Sequence, residues 1–327
     1  MHIAFQIKAD GEDITPALKD RLTGLSISDE AGVKSDTAEI QIDNRDGRVA
    51  LPPVGAKLDI SLGFLETGLT LMGRYVVDDL AGELMPATMT IHAKATDMLG
   101  GIRAPKTRSW QDVSFGDVVQ KIAGENGLKA AVAKDIGAQR YGYIAQTSES
   151  DLNLLLRLAH DLDALVKPAG GALLCVRQGT GKTASGIEIP VPEIALKDIT
   201  HGSWKLKSRG RYGKVITEWS ELGSATVHKV TIGDGKPALK LRHRYPSKVE
   251  ATRAGAAALN RSKRGSGSLD LTLAGFNGAL TAGGMIDLID AAPELRGRWS
   301  ITSVTHTLGR SLTTQLKAER DNDTANA

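Results

Sequence analysis

One stretch of the chain occurs twice, and no other feature constrains the fold as much. Gly73-Arg74-Tyr75-Val76-Val77-Asp78-Asp79-Leu80 is echoed by Gly297-Arg298-Trp299-Ser300-Ile301-Thr302-Ser303-Val304. In each, a glycine turn releases an arginine, an aromatic and then a β-rich run. The surroundings correspond as well: residues 55–62 precede the first copy and 284–290 the second, while 88–95 and 312–319 follow. Each half therefore reads as three strands joined by turns, the pattern of a small antiparallel sheet. The last strands match in parity only after a one-residue shift, and Gly-Arg-Tyr recurs at Gly210-Arg211-Tyr212. Two readings stand: a duplicated module, or two unrelated meanders that enter a strand in the same way. Two like modules in one chain would make a threefold assembly nearly sixfold.

Around the repeat, the chain divides by composition. Its 327 residues predict two or three units, and 41% hydrophobic against 24% charged residues suits a globular chain with a core. Residues 1–98 are β-rich: Phe5 and Ile7, Leu25 and Ile27, and Ala38, Ile40 and Ile42 alternate with polar positions. Asp43-Asn44-Arg45-Asp46-Gly47 carries turn chemistry, and Pro52-Pro53 forces an extended link into a strand at 57–62. Residues 99–192 read as an α+β insertion. Phe115, Val118, Val119, Ile122 and Ala123 form one helical stripe, capped by Ser114 and stopped by Asn126-Gly127. A second helix spans 150–163 with the stripe Leu152, Leu155, Leu156, Ala159 and Leu162, and Ser148 with Asp151 resembles its capping box. Pro168-Ala169-Gly170-Gly171 then turns the chain into a strand at 173–176. From 193 to 320 strands return at 202–207, 215–219, 227–232 and 239–243. A single helix interrupts them, opened by the capping box of Ser247 and Glu250 and running to Gly265. Residues 321–327 read as a frayed tail. The expected fold is mainly β with an α+β insertion: two antiparallel β-barrel (tube) domains separated by a small α+β domain.

Chemistry is sparse. Gly179-Thr180-Gly181-Lys182-Thr183 suggests a phosphate loop, but Val176 stands where the first glycine is needed and Ile187-Glu188-Ile189-Pro190 cannot continue as a helix. A hairpin tip is the better reading. The seven histidines (His2, His92, His160, His201, His228, His243 and His306) fall in no ligand spacing, and Cys175 sits alone in an apolar run as a buried thiol. His160 near a helix C-terminus and His306 in a strand read as structural. Asp78 and Asp79 are expected on opposite faces of their strand, unable to act on one substrate. Gly265-Ser266-Gly267 lies in a loop, not a nucleophile elbow. No residue is assigned as catalytic, cofactor-binding or metal-ligating, and no cofactor is expected. The N-terminus lacks the pattern of a signal peptide and no run approaches the ~18 apolar residues of a membrane helix, so folding in a cytoplasm with no membrane partner is expected. Net charge is +3, too small to argue for nucleic acid. Basic residues do cluster at 204–211, 240–245 and 261–264, read as solvated faces first and as a nucleic-acid surface second.

The residues resemble a known family. Asp36-Thr37-Ala38-Glu39-Ile40-Gln41-Ile42-Asp43-Asn44-Arg45-Asp46-Gly47, followed by Leu51-Pro52-Pro53-Val54-Gly55, is similar to the opening of the phage late control protein D family. Phe115-Gly116-Asp117-Val118-Val119 and Ser150-Asp151-Leu152-Asn153-Leu154-Leu155 resemble its middle. Leu271-Thr272-Leu273-Ala274-Gly275, Gly283-Gly284-Met285 and Arg298-Trp299-Ser300-Ile301-Thr302-Ser303-Val304 resemble its end. The resemblance spans nearly the whole chain. It implies the hub of a contractile tail baseplate, related to the first part of type VI secretion spike proteins, and no enzyme. The implied assembly is a homotrimer whose ring of six similar modules adapts the sixfold tail tube to the threefold spike. Its implied partners are the tail spike protein, the tail tube or tube-initiator protein, the tape-measure protein and baseplate wedge proteins, with DNA only as passing cargo. The implied place is the virion, assembled in the host cytoplasm. The alternatives are a DNA- or cell-wall-binding module, or a muralytic enzyme, of a tail or injection device.

Overall fold

A computed structural model describes residues 2–32, 35–95, 101–169, 171–207, 212–221, 223 and 225–320. The third Gly-Arg-Tyr (at Gly210 and Arg211), Gly170, the boundary at residues 98–99 and the 321–327 tail lie outside the described residues. The first β unit holds β1 (Ile3–Ala9), β2 (Glu12–Asp13), the short α1 (Thr15–Leu18), β3 (Leu22–Glu30), β4 (Thr37–Asp43), β5 (Lys57–Phe64), β6 (Gly68–Ala81) and β7 (Thr88–Ala95). Of the positions the alternation marks, Ile7, Leu25, Ile27, Ala38, Ile40 and Ile42 are buried in one core and Phe5 packs against it; Leu58, Ile60 and Leu62 of β5 complete it.

The α+β insertion follows: β8 (Pro105–Ser114), α2 (Phe115–Glu125), β9 (Lys129–Val132), α3 (Lys134–Gly137), β10 (Arg140–Ser150), α4 (Asp151–Leu162), β11 (Ala164–Ala169) and β12 (Ala172–Arg177). It has its own core, built on α2 and α4. All five predicted stripe residues of α2 are buried, and Ser114 and Asp117 cap each other's backbone N–H groups. Two expectations for α4 are corrected. The cap is Ser150, whose hydroxyl accepts from Asn153 N, and not Ser148, which takes φ 48° where β10 bulges against β8. The stripe is also wider than expected: Leu154 and Leu158 are buried while Leu156 is only partly so. A helix packed against both a sheet and other helices must present more than one narrow face.

The last unit comprises β13 (Glu193–Ile194), β14 (Ile199–Leu206), β15 (Lys214–Trp219), β16 (His228–Gly233), β17 (Ala238–Tyr245), α5 (Lys248–Arg264), β18 (Gly267–Leu273), β19 (Met285–Leu288), β20 (Gly297–Leu308) and β21 (Leu312–Arg320). Strands β15 to β17 form a separate three-stranded sheet on which α5 packs; Gly255 lets the helix approach, since a Cβ there would stand 2.9 Å from Ile232. A third core, around Trp299, Ile301, Leu316 and Leu271, fills the remaining strands.

The architecture is mainly β and antiparallel, with an α+β insertion. The insertion parts the two β units in sequence, yet they meet in space. One 13-stranded sheet runs β14-β18-β21-β20-β3-β4-β7-β6-β5-β1-β2, with β19 and β13 branching from β20. The join is β20 against β3, from Ser303↔Glu30 to Leu308↔Leu25.

Candidate assembly interface

The sheet's construction is repeated in detail. In the first unit Leu58 pairs with Tyr75 and Ile60 with Gly73; in the second Ile286 pairs with Trp299 and Leu288 with Gly297. The next strand pairs Val77↔Ala93 and Leu80↔Ile91 in one unit, and Ile301↔Ala318 and Val304↔Leu316 in the other. Both central strands bulge at the same place, between Val77 and Asp79 and between Ile301 and Ser303. Just before the bulge, Val77 exchanges backbone hydrogen bonds with Ala56 and Gly55, and Ile301 does so with Gly284 and Gly283, all at 2.9 Å. Gly55 and Gly283 both take positive φ, 94° and 88°, which a side chain would strain. The one-residue shift in the last strands is therefore the true register: Ile91 answers Leu316 and Ala93 answers Ala318.

The bulge also corrects the reading of Asp78 and Asp79. A bulge sets two consecutive residues against one partner, so the alternation breaks there. Asp78 pairs with Lys94 and Asp79 lies 3.9 Å from His92, and both of those partners point to the same face of β7. The two carboxylates share a face, but Asp78 is paired with Lys94 while Asp79 stands beside the His92 ring, which Glu39 also approaches at 3.8 Å, so they form part of a solvated polar surface rather than an acid–base pair.

Three polar clusters hold the insertions in place. Lys167 of β11 is buried between Asp29 and Asp36, the latter at 2.8 Å, where β3 turns into β4. Burial opposes its charge, but the two carboxylates outweigh that and hold its pKa above the usual lysine value. Asp29 also accepts from Ala282 N at 2.8 Å, so one carboxylate ties all three cores together. Arg264, expected on a solvated face, is instead buried against Asp163 at the end of α4. Within the insertion, buried Asp151 takes Arg108 at 2.7 Å and Lys106 at 2.6 Å, and both cations also reach Glu125.

The remaining residues singled out by sequence have structural surroundings. Gly179 and Gly181 take positive φ in a turn, Lys182 bridges to Glu188, and no helix follows. Cys175 is fully buried and burial pushes its thiol up to about 12. His306 is buried beside Phe276, with Nδ1 3.1 Å from Thr314 Oγ1; burial lowers its pKa to about 4. His160 lies near the C-terminal end of α4, its carbonyl accepting from Arg261. Among the described residues no group of three His, Cys, Asp or Glu is placed to hold a metal, and no helix is long and apolar enough to cross a membrane. What sequence reasoning missed is at the sheet's edges. Among the described residues β14 is a terminal strand, with Trp204 and Leu206 exposed at 59% and 42%, and the β5 side of β6 is unpaired from Asp79 to Ala81.

A doubled β module, insertions pinned by buried ion pairs and, among the described residues, open strand edges suit a structural part of a larger assembly. The comparisons with known proteins agree. The model of the phage tail baseplate hub (GPD) family matches residues 90–312, more than half of the chain, and the chain belongs to that family. It is 29% identical to a probable baseplate hub protein of Escherichia phage 186, over 97% of this chain and 92% of that protein. It is 27% identical to the corresponding protein of Escherichia phage P2, over 96% and 92%. Among solved structures, a 43 kDa tail protein of prophage MuSo2 from Shewanella oneidensis shares the fold, with a TM-score of 0.73 over 98% of each chain at 16% identity.

Proposed function

We propose that this baseplate hub protein works as a homotrimeric ring in which each subunit supplies two similar β-barrel (tube) domains. Residues 1–98 and 193–320 are the two domains and 99–192 the α+β domain between them. The ring presents six like modules to the sixfold tail tube and three chains to the threefold spike, and it surrounds the passage for tape-measure protein and DNA. Its partners are the spike, the tube or tube-initiator protein, the tape-measure protein and the wedges, in a tail baseplate assembled in the host cytoplasm. Its role is structural rather than catalytic. The observation that carries this reading is the doubled module: the same register, the same bulge and the same glycine turn occur twice in one sheet. Sheets joined head to tail leave two different edges on each copy, and such heterologous contacts form a ring when the rotation between copies closes. Sedimentation of the purified chain tests it. The expected mass is three times the 34.6 kDa protomer. A protomer-sized species at every concentration, with no capture of the spike or tube protein of the same tail, would defeat the proposal.

A further inference from the structure

The two open edges named above are counterparts. By the repeat, β14 is to the second unit what β3 is to the first: Ile27 faces Ala38 on β4, and Trp204 faces Leu269 on β18. β3 is not left open. It lies along Ser303 to Leu308 of β20, the part of that strand that β19 does not cover. The matching part of β6 begins at Asp79 and, on the side away from β7, pairs with no strand among the described residues. Among the described residues one chain thus holds a strand paired on one edge only, β14, and an unfilled berth, the edge of β6. Within a chain they stand seven strands apart in the sheet order and do not pair with each other, which leaves a second copy to meet each.

We infer that β14 of one copy adds as an antiparallel strand to the Asp79–Leu80–Ala81 edge of the next copy's β6, with the register of the internal β3–β20 join. This rests on the ring reading and specifies its seam. Transferring Ser303↔Glu30, Val304↔Asp29 and Thr305↔Ser28 through the repeat gives Asp79↔Lys207, Leu80↔Leu206 and Ala81↔Lys205. The chemistry fits that register. Lys207 meets Asp79, and Leu206 meets Leu80. Lys205 is flanked by acids on the berth, with Glu83 two residues beyond Ala81 and Asp79 two before it. The hydrogen-bonding phase fits too. Lys207 N–H is donated inward to Ser266 O, so in a strand the groups of Leu206 and Trp204 face outward, ready to pair. Exposed apolar side chains on an open edge strand are a liability in a free monomer, and a seam removes it.

The phase singles out a probe. Lys205 and Ala81 form a non-hydrogen-bonded pair, whose Cβ atoms come closest. Their internal counterparts, Ser28 and Thr305, touch through hydroxyl oxygens at 3.0 Å. In the full-length chain carrying Ala81→Cys and Lys205→Cys, mild oxidation should give covalent dimers and trimers on a non-reducing gel. Each single variant should stay monomeric on that gel, and buried Cys175 should stay silent. The pair Ala81→Cys with Ser203→Cys, two residues out of register, should cross-link at least ~10-fold more slowly. Separately, Asp79→Lys and Lys207→Asp should each weaken self-association ~10-fold or more, and the double exchange should restore it to within ~3-fold. A chain that sediments as a trimer but cross-links only at the shifted pair, or at neither, overturns this seam and leaves the ring standing. A chain that is protomeric under all conditions overturns both.

Discussion

His306 sits on β20 directly opposite Ile27 of β3, so its protonation bears on the join between the two β units. The folded chain holds it neutral, with a pKa near 4 against an ordinary 6.5, because burial penalises the charge. The unfolded chain takes up the proton between these values and the folded chain does not, so stability present above pH ~6.5 is lost as pH falls toward 4. The difference is worth up to about 3 kcal/mol. Urea midpoints measured from pH 7 to 4 should fall for the native chain, and His306→Gln should flatten that limb; an unchanged slope would refute the assignment. Asp163 is a second test at this scale. It is buried against Arg264 and also holds φ 55° at the end of α4. Asp163→Ala leaves a buried guanidinium unpaired and is expected to cost about 3–5 kcal/mol in thermal or urea unfolding, whereas an exposed ion-pair partner such as Arg45 should cost under ~1 kcal/mol.

The strand elements show how far the sequence could be read. Alternation placed the inward residues of β3 and β4 because one face of each strand is buried, and the period-2 pattern records that. The doubled Gly-Arg-aromatic stretch marked the two central strands for the same reason. The bulges left no such mark: Val77-Asp78-Asp79 and Ile301-Thr302-Ser303 are ordinary strand residues, and the extra residue is set by what the neighbouring strand needs. A bulge likewise decided between Ser148 and Ser150 as the α4 cap. The open edges were invisible, since an edge is a property of what fails to pair and not of any residue type. The burial of Arg264 depended on a contact 101 residues away. The shared glycine turn gives a measurement at this scale. Gly55→Val and Gly283→Val should each cost about 1–3 kcal/mol through φ strain. Gly283→Val should cost more, because a Cβ there would stand 2.9 Å from Leu165, while Gly55 has open space. Equal losses would refute the crowding by Leu165, and no loss at either position would refute the φ strain. Gly124→Ala, in open space on α2, should instead stabilise by up to about 1 kcal/mol.

At the scale of the whole molecule, the proposed ring would have two kinds of join that differ in chemistry. The internal one is a strand pair within a chain, backed by buried His306, Ile27 and Leu25 and closed at its end by the Lys167 cluster. The inferred join between copies is short and would be coded by exposed Lys205 and Lys207 at the end of β14 against exposed Asp79 and Glu83 at the end of β6. Exposed charges separated by more than a few ångströms are screened as the Debye length falls from ~10 Å at 0.1 M salt to ~3 Å at 1 M, while buried pairs are screened far less. Raising salt should therefore act on the two joins unequally. Sedimentation should show mass moving from trimer toward protomer between ~0.1 and ~1 M sodium chloride at constant protein concentration, and the urea midpoint of the protomer should move little. The Asp79→Lys, Lys207→Asp double exchange should keep the same salt response, because it swaps the signs without changing their product. A trimer indifferent to salt would place the weight of assembly on apolar contact at Leu206 and Trp204, and Leu206→Asp would then be the substitution that dissolves the ring.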